Sequence, residues 1–213
     1  MQVKQMHAGL GFWLLWVLAS IIGFTLSGFL FHFPFGFPAG ANTSFDPANA
    51  EVGFIQGALT GLVIGTIQWL VLRRLISRAG WWILATCWGI AVAHAVGDSA
   101  PAPITLWVLA LLCGAVIGSL QWLILRQLTS RAVLWVAANI VGWYLGLTLG
   151  MALAESTGLM ALTGPDGWVK QHSMVGSITG IVIGVITGIL LTWLVRHPLP
   201  QKVMQAAPQS STV

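Results

Sequence analysis

The amino-acid sequence predicts an all-α integral membrane protein, with six transmembrane helices arranged as three pseudo-repeated helical hairpins. Three observations carry this reading. Of 213 residues, 57% are apolar and only 7% charged, where a soluble domain carries about 25% charged residues; the mean hydropathy is +0.87. The apolar residues fall in continuous runs near the ~20 that a helix needs to cross hydrocarbon. Barrel strands would instead alternate with a period of two. Finally, the Lys and Arg residues gather in short clusters between the runs, which is how topology is written into membrane proteins. They form no basic face with stacking aromatics, so nucleic acid is excluded as a partner.

The first run, Leu10–Phe31, is longer than the apolar core of a cleaved signal peptide, about 7–15 residues, and reads as a retained span. The Phe- and Pro-rich segment after it is too apolar for an aqueous loop and suits the membrane interface. Spans two and three, Val52–Leu72 and Gly80–Val96, are separated by a few residues and must form a tight antiparallel hairpin. After the Gly97–Pro103 turn, Ile104–Leu125 and Ala132–Leu153 form another. Span six is Met174–Val195, preceded by the outer segment Glu155–Ser173. Residues 1–197 thus make one six-helix membrane domain (spans 10–31, 52–72, 80–96, 104–125, 132–153 and 174–195). The Pro-, Gln- and Ser-rich residues 198–213 are expected to be a disordered cytoplasmic tail.

Orientation follows from the basic residues. With both termini cytoplasmic, Lys4, Arg73, Arg74, Arg78, Arg126, Arg131, Arg196 and Lys202 all lie inside, and only Lys170 lies outside. Asp46, Glu51, Asp98, Glu155 and Asp166 then all face the outer side. Cys87 and Cys113 differ in depth by roughly 10 Å at the helical rise. Two free thiols are expected, because a disulfide needs Cα atoms within about 7 Å.

An internal repeat is the most informative feature. Ile64-Gly65-Thr66-Ile67-Gln68-Trp69-Leu70-Val71-Leu72-Arg73 matches Ile117-Gly118-Ser119-Leu120-Gln121-Trp122-Leu123-Ile124-Leu125-Arg126. Ser-Arg-Ala follows in both copies, then Trp82-Ile83-Leu84-Ala85-Thr86 against Trp135-Val136-Ala137-Ala138-Asn139, closed by Gly89 and Gly142. Trp16-Val17-Leu18-Ala19-Ser20 with Gly23 copies the outgoing helix. Gly176, Gly180, Gly184 and Gly188 copy the ladders Gly57, Gly61, Gly65 and Gly114, Gly118 of the incoming helices. Lipid tails leave no hydrophobic force between helices, so association relies on the close backbone approach that small residues four apart permit. With the longest ladder, span six is expected at the centre of the bundle, touching two neighbours.

This pattern, carried by spans two to five, resembles a group of uncharacterised bacterial membrane proteins, of cyanobacterial type. Their Gly-rich helices end in Gln-Trp-Leu-x-Leu-Arg and are followed by Trp-x-x-Ala. The resemblance implies a bacterial plasma membrane or a thylakoid, and no particular activity.

Polar residues inside the spans are the candidate ligand-binding set. Residues three and seven apart share a helix face, so Gln68 faces with Gly61 and Gly65, Gln121 with Gly114 and Gly118, and Thr187 with Gly180 and Gly184. Thr86 and Asn139 lie at similar depth, roughly 10 Å from the cytoplasmic helix ends. Gln68, Thr86, Gln121, Asn139 and Thr187 are therefore expected to form one polar layer. Its groups either hydrogen-bond across helices or hold a small ligand or pigment. The intramembrane ionisable pair is His94 and Asp98, four apart near the outer end of span three; it anchors a turn or faces a cavity. Trp69, Trp122 and Trp193, just before Arg73, Arg126 and Arg196, read as interfacial anchors. No metal-ligand spacing and no catalytic constellation is visible.

These residues point to a non-enzymatic protein, an assembly or scaffold subunit or a binder of a lipid-like or pigment ligand. The alternative is a passive channel or carrier for a small neutral solute lined by the polar layer. The cofactor is unknown; the expected partners are the lipid bilayer and other membrane subunits or pigments. Whether the layer faces a lumen or its neighbouring helices separates the readings.

Overall fold

The structure, a computed structural model, describes residues 9–31, 47–76, 78–99 and 110–197. The helices are α1 (Leu10–Phe31), α2 (Pro47–Leu72) and α3 (Gly80–Ser99). The apolar helix α4 follows, described over Ala110–Leu125 with a π turn at Cys113–Ile117. The chain continues in α5 (Leu134–Ser156) and α6 (Gly164–Arg196). Five of these, all but α4, are long and apolar enough to cross a membrane. The start of the fourth expected span, the Phe- and Pro-rich segment and the tail at 198–213 lie outside the described residues.

Two helices begin well before their apolar runs. α2 starts at Pro47, whose fixed φ suits a first helical turn. α6 starts at Gly164 with Pro165 next and Asp166 in its first turn, where a carboxylate meets the positive end of the helix dipole. The sequence places residues 164–173 in an outer segment; they are helical, because outside the hydrocarbon a helix needs good ends and not apolarity. Gly158 and Gly164, at φ 73° and 79°, make the two corners before α6 in the left-handed region that glycine adopts without strain. Gln171 ties this connection down, its Nε2 donating to the Leu159 and Leu162 carbonyls at 2.8 and 2.9 Å.

Among the described residues, each helix packs against its neighbours in the chain, and α6 closes on α1, so the helices form a ring. The seams α2–α3, α4–α5 and α6–α1 hold the glycine ladders read from the sequence, and Gly142, Gly146 and Gly150 of α5 make a further one against α6. A Cβ on Gly61 would lie 2.6 Å from the Cys87 Cα, and one on Gly180 would lie 2.8 Å from the Ser20 carbonyl oxygen. Gly114 presses on the Ile140 backbone in the same way. The alternate seams α1–α2, α3–α4 and α5–α6 each set an isoleucine against a glycine: Ile64 on Gly23, Ile117 on Gly89 and Ile183 on Gly142. α6 touches two neighbours, α1 and α5, but it is not central. No helix is, because in a closed ring every member packs on two neighbours.

The axis of the ring is filled by side chains. Toward the basic end, Trp16, Trp82 and Trp135 pack with Leu72, Leu125 and Leu191, and the buried turn residues Leu75, Ile76, Ala79 and Ala132 stop that end of the ring. Toward the other end, Phe24, Ile90 and Trp143 pack with Ile64, Ile117 and Ile183. Cys87 and Cys113 are not joined in a disulfide.

Candidate functional site

Gln68, Thr86, Gln121, Asn139 and Thr187 are brought together in one buried layer between these two clusters, each no more than 4% exposed. What organises the layer is a trio of tryptophans that sequence reasoning left out of it. Trp16, Trp82 and Trp135 meet edge to face, with ring centroids 5.8, 5.5 and 6.2 Å apart, an arrangement their quadrupoles favour. Each indole N–H needs an acceptor once it is away from water. Trp82 donates to the Gln68 Oε1 at 3.0 Å, Trp135 to the Gln121 Oε1 at 2.9 Å and Trp16 to the Thr187 Oγ1 at 3.0 Å. In every case donor and acceptor stand across a glycine-ladder seam.

The amide nitrogens continue the network to the next seam. Gln121 Nε2 donates to the Thr86 Oγ1 at 3.0 Å, and Gln68 Nε2 to the Ser20 Oγ at 3.3 Å. Ser20, Thr86 and Asn139 each stand four residues after one of the central tryptophans. Thr86 and Asn139 bond back to the carbonyls of Trp82 and Trp135. Thr187 donates to the Ile183 carbonyl. It is shorter than the two glutamines, whose amide nitrogens reach the next helix.

The cavity enclosed by the layer offers about 10 Å³ to the centre of a water molecule, at the lower limit for holding even one. The polar groups face one another and their neighbouring helices, with indole rings below and Phe24, Ile90 and Trp143 above.

Trp82 and Trp135 were legible in one respect. Gln68 and Trp82 are 14 residues apart, as are Gln121 and Trp135. A tight turn midway returns the chain to the same depth. The tryptophans expected as interfacial anchors each carry an arginine over the ring. Arg73 lies over the Trp69 ring at 5.1 Å, Arg126 over Trp122 at 5.3 Å, and Arg131 over Trp193 at 5.1 Å. His94 is half-buried on α3; the Asp98 side chain lies outside the described residues, and so does any bond between the two. Among the described residues no group of three His, Cys, Asp or Glu side chains is placed to hold a metal ion.

A second feature was not visible in the sequence. Between α3 and α4 a groove of about 470 Å³ opens on the outer surface of the ring. Trp81, Leu84, Ala85 and Trp88 line it from α3, and Leu120, Leu123 and Ile124 line it from α4. Both sets follow the spacing of a single helix face. Arg78 and Gln127 stand at its basic end. Trp81 and Trp88 are 61% and 56% exposed, large for rings in a bundle whose other central aromatics are buried. Phe54 of α2 packs edge-on against Trp88, 5.6 Å away.

No protein-family model, curated protein or solved structure matches this chain.

Proposed function

We propose that the protein is a non-enzymatic integral membrane protein that crosses the bilayer six times and binds a lipid-like ligand on its lipid-facing surface. The observation that carries this reading is the α3–α4 groove, whose volume of about 470 Å³ falls in the range of about 300–1,000 Å³ typical of small-molecule sites. It is apolar along its length, polar at one end and open sideways to where lipid would be. The interior supports the same reading by contrast. Its polar layer is hydrogen-bonded within itself around a cavity of about 10 Å³, which leaves little for a passive channel or carrier to use.

The span that completes the six is α4, whose described 16 residues cover about 24 Å at the helical rise. The threefold recurrence of an indole bonded across a glycine seam supports three hairpins of one design, α2–α3, α4–α5 and α6–α1. The clustering of basic residues at one end supports cytoplasmic termini. The repeated Gln-Trp-Leu-x-Leu-Arg helices support kinship with the bacterial group described above, hence a plasma or thylakoid membrane.

The test is purification in mild detergent, with extraction and mass spectrometry of whatever co-purifies. One class of lipid or pigment should be retained in stoichiometric amount and lost on Ala85→Trp, which fills the groove. Retention of no amphiphile by the native chain, or solute flux in liposomes that Ala85→Trp does not affect, would overturn the reading.

A further inference from the structure

We propose that the α3–α4 groove selects an anionic phospholipid, with the lipid phosphate on Arg78 and one acyl chain lying along Trp81, Leu84 and Trp88. This rests on the groove being a lipid site. The inference begins from the way the arginines are used. Arg73, Arg126 and Arg131 each lie over a tryptophan ring of the protein. Arg78 occupies in the first Ser-Arg-Ala segment the place that Arg131 occupies in the second. The residue facing Arg131 across the α5–α6 seam is Trp193. Its counterpart across the α3–α4 seam, by the register that aligns Thr187 with Gln121, is Gln127. The glutamine shares the groove with Arg78 and provides an amide in place of a ring.

At this end of the ring the charge is of one sign. The connections 73–79 and 126–132 contain five arginines, Arg73, Arg74, Arg78, Arg126 and Arg131, and neither Asp nor Glu. An exposed guanidinium here has phosphate as its natural partner, because its planar donors match phosphate oxygens two at a time. The amide of Gln127 adds a donor and an acceptor for the ester or glycerol oxygens beside that phosphate.

The groove continues inward from the cation without another charge. Trp81 to Trp88 spans about 10 Å at the helical rise, so a chain attached to a phosphate at Arg78 would run against Leu84 and Leu123 and past Trp88. A free phosphate would leave this apolar length unused, and a neutral lipid would leave Arg78 unanswered. Basic recesses between helices on the cytoplasmic side bind anionic headgroups for these reasons.

The test uses the full chain in nanodiscs of equal parts phosphatidylglycerol and phosphatidylcholine, with retained lipids counted by native mass spectrometry after release. Phosphatidylglycerol should be retained about fivefold over phosphatidylcholine, the preference expected from one arginine beside an anionic headgroup. Arg78→Gln should abolish the preference while lipid is still retained, and Arg78→Lys should restore much of it. Arg131→Gln, whose arginine is stacked on Trp193, should leave the preference intact. Equal retention of the two lipids by the native chain would overturn the anionic selection and leave the lipid-binding reading standing. Retention of no lipid would sink both. An equal loss of preference in Arg131→Gln would place the selection in the general charge of this end and not in the groove, and would also overturn the proposal.

Discussion

Trp82 and Gln68 are joined at the centre of the helical ring, the indole N–H donating to the amide oxygen at 3.0 Å with both residues buried. The amide nitrogen of Gln68 goes on to Ser20, so one glutamine links α3, α2 and α1. If the link is a unit, its parts should not be independently removable. Gln68→Leu leaves the indole N–H without an acceptor, and Trp82→Phe leaves the amide oxygen without its donor. Each should lower stability by about 1–3 kcal/mol, because an orphaned buried group adds to the lost bond. The double variant should cost at least about 0.5 kcal/mol less than the sum. Thermal unfolding in one detergent measures all three, and strict additivity would show that the pair is adjacent without being coupled.

The glycines give a second, steric prediction. Gly61→Ala places a methyl 2.6 Å from the Cys87 Cα, and Gly89→Ala places one 2.9 Å from the Ile117 Cα; Gly11 and Gly80 have nothing within 4 Å. Backbone on backbone has no cheap way to yield. The first two variants should each lose at least about 1–3 kcal/mol, the usual cost of overpacking. Gly11→Ala and Gly80→Ala should be neutral or slightly stabilising, since alanine is the better helix former. Gly89 is the sharper case. It stands outside every glycine ladder, so from sequence a substitution there is expected to cost less than one inside a ladder. A melting temperature for Gly89→Ala equal to that of Gly80→Ala would refute the tight α3–α4 seam.

How much could be read from sequence depends on which force places a residue. The glutamines were legible because a polar side chain inside an apolar run must find a partner, and the repeat gave two of them the same address. Their tryptophan partners were less so. A tryptophan near a helix end is ordinarily read as marking the membrane interface, as Trp69 and Trp122 were from their place beside Arg73 and Arg126. Only the equal depth imposed by the short hairpin turns Trp82 and Trp135 inward. Gly164–Ser173 was read as part of an outer segment because hydropathy reports hydrocarbon and not helix. The α3–α4 groove left no trace, since Leu84 or Leu123 facing a recess is the same in composition as a leucine facing lipid. The pairing of Trp193 with Arg131 was hidden for a related reason: sequence shows neighbours along a helix, and this contact crosses a seam.

Topology can be tested independently of packing. In a background carrying Cys87→Ala and Cys113→Ala, single cysteines at Ala48 and Ser130 sit at opposite ends of the ring, both exposed. With the amino terminus inside, an impermeant thiol reagent added to intact cells should label Ala48→Cys and spare Ser130→Cys until the cells are opened. Thr129, next to Ser130, is unsuitable because it is 2% exposed and bonds to the His197 carbonyl. Labelling of Ser130→Cys in intact cells would invert the orientation.

The remaining prediction separates the polar layer from the groove. Gln68 and Gln121 accept from indoles at 3.0 and 2.9 Å and donate to Ser20 and Thr86, so the layer's bonds are used within the protein. Gln68→Leu with Gln121→Leu should therefore lower the melting temperature, by about 1 kcal/mol or more for each site. Below its own melting temperature, the variant should retain whatever amphiphile the native chain retains. Ala85→Trp should do the reverse. Ala85 lines the groove and is half-buried, so an indole there fills the recess, displaces the ligand and leaves the central network intact. The two variants thus form a crossed pair, one losing stability with ligand kept and the other losing ligand with stability kept. If the double glutamine variant stays folded and loses the ligand or a solute flux while Ala85→Trp keeps it, the functional site lies in the polar layer, and its indole–amide bonds hold that site in shape.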